Sequence, residues 1–147
     1  MPLANIKETM TTNEIQNEII EEFSEFDDWM DRYQMLIDLG NELSPLPDEY
    51  KTEQNLIDGC QSRVWLHCEN RNGILRFQAE SDALIVKGII ALLIRVVDNQ
   101  KADDILDTKL YFIERIGLTE HLSPTRSNGL LSMIRQIHAY ALLYKSR

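Results

Sequence analysis

Residues 82–97 form the most apolar segment of this 147-residue chain, and they constrain its fold more than any other stretch. Lys87, Gly88 and Arg95 interrupt the apolar run. Because the segment carries charges and is shorter than the ~20 residues that a bilayer requires, we do not expect it to span a membrane. It predicts a central buried helix that packs on a sheet.

The residues before this segment predict a β-hairpin. Strands are expected over residues 62–69 and 74–80, joined across residues 70–73, where an Asn-Gly pair suits the positive φ angles of a tight turn. The second strand alternates apolar and polar side chains, so one of its faces should meet the core. The apolar members are Leu75, Phe77 and Ala79.

Two helices are predicted before the hairpin. Thr11 and Glu14 have the spacing of a capping box at the start of the first helix. Asp27 is expected to cap a second helix that ends at Gly40. Apolar residues recur along both helices at three- and four-residue spacing, which predicts one buried stripe. Its members are Ile15, Ile19, Phe23, Phe26, Met30, Tyr33 and Ile37.

Further helices are predicted after the apolar segment. Residues 104–116 suit one or two short helices, which Gly117 is placed to end. Ser123 followed by Pro124 is typical of the start of a helix, and this one is expected to close the fold. Its buried stripe is predicted to comprise Leu130, Ile134, Ile137, Ala141 and Tyr144.

These elements predict an α+β fold in which a small antiparallel sheet packs against several helices. The length suits one domain, expected over residues 11–147, and the patternless residues 1–10 are expected to be a loose tail. With 24 acidic residues against 15 Lys and Arg, the net charge of -9 argues against nucleic acid or an anionic membrane as a partner. Protein partners are therefore expected. The N-terminus resembles neither a signal nor a transit peptide, so a cytoplasmic location is expected.

Cys60 is the first candidate for chemistry. Gly59 tolerates positive φ, so the thiol is expected at a loop tip before the first strand. Gln61, Ser62 and Arg63 suit an accessible loop, and the Arg63 cation can favour a thiolate. The alternative is that this cysteine is a small buried hydrophobe, as free cysteines usually are.

Cys68 lies within the first predicted strand, on the same face as Val64 and Leu66, and is expected to belong to the core. An extended strand places it about 20 Å from Cys60, beyond the ~7 Å limit for a disulfide, so both thiols are predicted to be free. His67 points to the opposite face, and no metal site is predicted from this pair.

Three sequence blocks carry a resemblance to a known family. They are residues 59–65 (GCQSRVW), 81–88 (SDALIVKG) and 121–130 (HLSPTRSNGL). In order and separation they resemble the SufE family, the sulfur-acceptor proteins of iron–sulfur cluster assembly. The similarity extends from about residue 13 to the C-terminus, and it implies a SufE/IscU-like fold.

The resemblance implies that Cys60 takes a sulfane sulfur from the persulfide of a SufS-like cysteine desulfurase. It also implies that the chain stimulates this enzyme and passes the sulfur to a SufBCD-like scaffold. The pyridoxal phosphate (PLP) of the reaction belongs to the desulfurase, so the chain is expected to need no cofactor of its own. Such a protein is a sulfur-transfer partner rather than a stand-alone enzyme.

Arg126 and Arg63 are the cations expected near the persulfide. Arg126 matches the arginine of the family's Ser-Pro-x-Arg block, and its alternative role is to fix the Cys60 loop through bonds to backbone carbonyls. The alternative for Arg63 is a solvated charge at the edge of a strand. Trp65 suits the core or a docking surface, and Gln61 suits a role in shaping the loop.

Gly129 costs on the order of 1 kcal/mol relative to alanine inside a helix, so it indicates close backbone packing, with the Cys60 loop as the expected neighbour. The resting Cys60 is expected to be unreactive, packed against apolar side chains and turned outward by its partner. Two rival functions remain. One is an IscU-like cluster scaffold, which would require three cysteines, whereas the chain has two. The other is a plain protein-binding module, which would not need the Cys60 thiol.

Overall fold

A three-stranded antiparallel sheet of order β1-β2-β3 packs against helices in a computed structural model of the protein, which describes residues 10–60 and 62–145. The predicted α+β architecture is confirmed. The strands are β1 (Val64–Arg71), β2 (Ile74–Ser81) and β3 (Gln100–Lys101). The α-helices are α1 (Thr12–Ser24), α2 (Trp29–Asn41), α3 (Leu84–Val97), α4 (Ala102–Asp107), α5 (Phe112–Arg115), α6 (Leu118–His121) and α7 (Pro124–Tyr144), and a 3₁₀ turn spans Asp48–Tyr50.

Helix α3 is the central element of the core. Nine of its fourteen residues are buried, which leaves almost no face for solvent. It packs against α1, α2, β2 and α7. The prediction of a central buried helix is therefore confirmed, with its start at Leu84. No helix in the described part of the chain combines the length and the apolar character needed to cross a membrane.

Helices α2 and α3 cross in backbone contact at a pair of glycines. A Cβ atom on Gly88 would lie 2.1 Å from the carbonyl oxygen of Leu36, and one on Gly40 would lie 2.8 Å from the Gly88 nitrogen. The prediction that Gly40 ends the helix was wrong, because α2 continues to Asn41 and Glu42 is its C-cap. This glycine is needed for the close approach of two helices.

The first two helices differ in how well the sequence predicted their starts. The capping box of Thr11 and Glu14 is present at α1. At α2 the cap is Asp28 and not Asp27, since the Asp28 carboxylate accepts a hydrogen bond from the Met30 nitrogen at 2.9 Å. Met30 then lies in the first turn with 72% of its surface exposed, so its predicted place in the buried stripe was wrong.

The hairpin turn is tighter than predicted. Arg71 pairs with Ile74, so the loop consists of Asn72 and Gly73 alone, with φ angles of 55° and 90°. Such a two-residue turn lets the strands pair up to its edge. The first strand begins at Val64, two residues later than predicted. The apolar face of the second strand is buried as expected, at Leu75, Phe77 and Ala79.

The C-terminal half follows its prediction with one addition. Helices α4 and α5 occupy the region predicted for one or two short helices. Gly117, with φ 83°, is followed by α6, which was not predicted from the sequence. Ser123 caps α7, because its hydroxyl accepts a hydrogen bond from the Arg126 nitrogen. The stripe of α7 is fully buried at Leu130, Ile137 and Ala141 and half-buried at Ile134 and Tyr144.

We expect Gly88→Ala to lower the free energy of unfolding by about 2–3 kcal/mol, because the added methyl group overlaps the backbone of α2. Gly73→Ala is the matched control: its Cβ would have no neighbour within 4 Å, so only the cost of its positive φ remains, about 1 kcal/mol. Urea denaturation measures both. A smaller loss for Gly88→Ala than for Gly73→Ala would contradict the proposed crossing.

Candidate functional site

Residues 58–63, here called the Cys60 loop, connect two segments that are hydrogen-bonded to each other. The Ile57 nitrogen donates to the Val64 carbonyl oxygen at 2.8 Å, and the Leu66 nitrogen donates to the Asn55 carbonyl oxygen at 2.9 Å. These two bonds close the base of the loop as the ladder of a short hairpin would. The base of the loop is therefore held by backbone hydrogen bonds.

Two further contacts tie this base to the helices. The Tyr140 hydroxyl of α7 lies 3.0 Å from Asn55 Oδ1 and 3.1 Å from the Leu66 carbonyl oxygen. On the other side, the Arg63 nitrogen donates to Asp82 Oδ1 at 3.1 Å, and the Asp82 nitrogen donates to the Arg63 carbonyl oxygen at 3.3 Å. The base is thus fixed to α7 and to the segment that leads into α3.

The tip of the loop lies on α7. Gly59 adopts φ 88°, as expected for a residue that turns the chain before Cys60. The half-buried Cys60 thiol donates to the Gly129 carbonyl oxygen, with 3.7 Å between the sulfur and the oxygen. The predicted packing of Gly129 against the Cys60 loop is therefore present, and the helix backbone itself forms the contact.

Cys60 also lines a cavity of about 370 Å³ between the loop, α3 and α7. The floor is apolar and is formed by Ala83, Val86, Ile89 and Met133. The rim is polar and includes Ser62, Ser123, Thr125 and Arg126. The thiol thus lies between an apolar surface and a group of hydrogen-bonding side chains that includes one guanidinium.

Burial governs the acidity of both thiols. Desolvation raises the pKa of Cys60, because the thiolate loses water at this half-buried position. Deeper burial raises the pKa of Cys68 to about 12, and the nearby carboxylates of Asp98 and Glu69 add to the shift. Cys68 is 3% exposed in the core face of β1, as predicted. Burial thus favours the thiol form of both cysteines.

Arg63 and Trp65, two other predicted site residues, do not line the cavity. Arg63 is exposed at the end of the Cys60 loop, and its backbone rather than its guanidinium makes the contact with Asp82. Trp65 is half-buried in β1, where it pairs with Glu80. Gln61 lies outside the described residues. Of the two predicted cations, Arg126 is the one that lines the cavity.

The apolar floor of the cavity was not predicted from the sequence. Val86 and Ile89 were assigned only to the buried helix, although their three-residue spacing also places them on one face near its start. Gly129 and Met133 share a face of α7 in the same way. Among residues 10–60 and 62–145, no three His, Cys, Asp or Glu side chains lie close enough together to hold a metal ion.

The sequence and the fold of this chain are similar to those of known proteins. Residues 17–141 match the SufE family, described as the Fe-S metabolism associated domain. An uncharacterized SufE-like protein of Rhizobium meliloti (strain 1021) is 40% identical over 131 residues, which cover 85% of this chain and 93% of the relative. The match therefore extends over nearly the whole of both proteins.

A solved structure shows the same fold. The solution structure of a hypothetical protein from Thermus thermophilus superposes with a TM-score of 0.75 at 21% sequence identity. The match covers 90% of this chain and 97% of that one. From the matched domain and the extent of the sequence identity, the chain belongs to the SufE family, whose domain is associated with Fe–S metabolism.

Proposed function

We propose that Cys60 accepts a sulfane sulfur from the persulfide of a cysteine desulfurase and passes it to a scaffold for iron–sulfur cluster assembly. The observation that carries this proposal is one thiol at a loop tip beside a cavity with a polar rim. Cys68 is buried in the sheet and is no competitor for the role. Membership in a family of Fe–S metabolism supports the same assignment.

The transfer needs neither an oxidant nor a reductant. The Cys60 thiolate attacks the outer sulfur of the desulfurase persulfide and forms a new S–S bond. The original S–S bond breaks, and its electron pair stays on the desulfurase cysteine, which takes up a proton. A second exchange of the same kind moves the outer sulfur from Cys60 to the scaffold. Because each transfer frees the desulfurase cysteine, the acceptor stimulates turnover without any further signal.

A resting thiol with a raised pKa is compatible with this chemistry. An ordinary cysteine of pKa ~8.5 is only about 3% thiolate at pH 7. A pKa lowered by ~2 units would give about 25-fold more thiolate, but it would cut nucleophilicity about 8-fold, for a net gain of about threefold. Alignment of the two sulfurs gives far more, since effective molarities reach ~10⁵ M. We infer that docking, and not a tuned pKa, supplies the rate.

Docking must also move the thiol. In the resting structure the sulfur faces Gly129 and the cavity, so an attack on a partner's persulfide requires the loop tip to turn outward. The hydrogen-bonded base of the loop would remain in place during this movement. Arg126, at the cavity rim, would then stabilise the anionic sulfur that transfer produces.

The first prediction concerns the sulfur itself. After incubation with a cysteine desulfurase and cysteine, we expect intact-mass spectrometry to show a gain of one sulfur, about 32 Da, on the protein. Cys60→Ser should show no gain, whereas Cys68→Ala should show the same gain as the unaltered chain. No gain on the unaltered chain, with a desulfurase that releases alanine from cysteine, would favour the protein-binding module.

The second prediction concerns the resting thiol. Because burial raises its pKa, the rate of Cys60 alkylation by iodoacetamide should rise with a midpoint above that of a cysteine in an unfolded peptide. A desulfurase that lacks its own catalytic cysteine should accelerate the alkylation by turning the tip outward. Peptide mass spectrometry separates Cys60 from Cys68. Free Cys60 that reacts faster than the peptide would contradict the proposed resting state.

The third prediction concerns Arg126. Arg126→Gln should slow sulfur transfer about tenfold by removing the cation next to the anionic sulfur, and Arg126→Lys should restore part of the rate. Arg63→Gln is the matched control, because that guanidinium lies outside the cavity lining. Single-turnover persulfide transfer measures all three. Equal losses for Arg126→Gln and Arg63→Gln would exclude a specific role for Arg126.

A further inference from the structure

The Cys60 loop lies on α7 through two successive contacts, here called the tip contact. A Cβ atom on Gly59 would lie 2.7 Å from Ser132 Oγ, and a Cβ atom on Gly129 would lie 3.3 Å from Cys60 Sγ. The loop and the helix therefore meet without an intervening side chain at either glycine. Gly129 is the member of this contact that stands directly against the reactive atom.

Gly129 is unfavourable for the helix that contains it. It is the sixth residue of a 21-residue helix, and glycine in a helix interior costs about 1 kcal/mol relative to alanine. Its backbone has ordinary helical geometry, so no positive φ requires a glycine here. The space next to the Cys60 sulfur is what an alanine at this position would take away.

We propose that Gly129 is a positioning residue that sets the resting place of the Cys60 thiol. Its missing side chain leaves room for the sulfur against the backbone of α7, and a larger residue there turns the thiol outward. The importance of this inference for sulfur transfer rests on the function proposed above. The position of the thiol itself can be tested without any partner.

The base of the Cys60 loop is held more strongly than its tip, as a thiol that can turn outward requires. The base has paired backbone hydrogen bonds of 2.8 and 2.9 Å. The tip contact has one bond from a thiol, a weak donor, at 3.7 Å. The Ser132 hydroxyl donates to the Asn128 carbonyl oxygen at 3.1 Å, and among the described residues it makes no hydrogen bond to the loop. Among the described residues the tip is thus held mainly by packing, and packing responds to side-chain size.

A series of increasing size at one position tests the inference. We expect Gly129→Ala and Gly129→Val to raise the rate of Cys60 alkylation at neutral pH, by several-fold and roughly tenfold respectively, as the thiol regains water. The midpoint of the pH profile should fall in the same order towards that of an unfolded peptide. This shift separates a positioning role from a general loss of structure, which urea denaturation monitors.

Ala139→Gly provides the control, because it exchanges the same two residue types in reverse on the exposed face of α7. It should weaken the helix and leave the alkylation of Cys60 unchanged. Equal rates and pH midpoints across the Gly129 series would overturn the inference, as would an equal increase in Ala139→Gly. Gly129→Ala keeps the test valid if the valine variant does not fold, since alanine favours the helix.

The two proposals can fail separately. If the unaltered chain gains a sulfur from the desulfurase but the Gly129 series shows no change, the role of Gly129 is wrong and the acceptor function stands. If the series changes as expected but no sulfur is gained, the positioning role stands and the acceptor function is wrong. Alkylation and mass gain are measured on the same protein preparations, so the outcomes are directly comparable.

Discussion

The burial of α3 on nearly all sides is the constraint from which the rest of the structure follows. A helix with so little polar surface must be covered by the sheet, by α1 and α2, and by α7. The start of this helix supplies Val86 and Ile89 to the floor of the cavity next to Cys60, and its N-cap residue supplies Ala83. The core and the candidate site are therefore continuous. The thiol lies at the point where the sheet and the other helices leave part of α3 uncovered.

The reactive end of this site combines a firm support with a weakly held tip. Backbone hydrogen bonds, Tyr140 and Asp82 fix the base of the Cys60 loop, so the position of the loop in the fold is well determined. Within the part of the loop that the structure describes, the tip is held by packing and one thiol hydrogen bond. This division suits the carrier role proposed for Cys60, in which the sulfur meets two different partners, because the loop could present the thiol without unfolding any helix or strand.

The sequence predicted correctly those features of the structure that depend only on residues close together in the chain. The capping box at Thr11, the Asn-Gly turn and the alternation of β2 act over a few residues, and each was found in the structure. Met30 and Gly40 were misassigned, because their surroundings depend on where α2 begins and on its crossing with α3. Gly129 was interpreted correctly since its cost in a helix is local. The cavity floor was not predicted, because its composition depends on which turn of α3 lies beneath the loop.

Helix α7 holds the Cys60 loop at two points, with Gly129 at the tip and Tyr140 at the base. These residues are eleven positions apart, about 16 Å and three turns along the helix, so they project from nearly the same side. The helix thus fixes both the distance between the two contacts and the side of the helix on which they lie. One residue added to or removed from α7 between them would rotate one contact by about 100° relative to the other, whereas substitutions on its outer side preserve both. The spacing in α7 is therefore as much a part of the site as the cysteine.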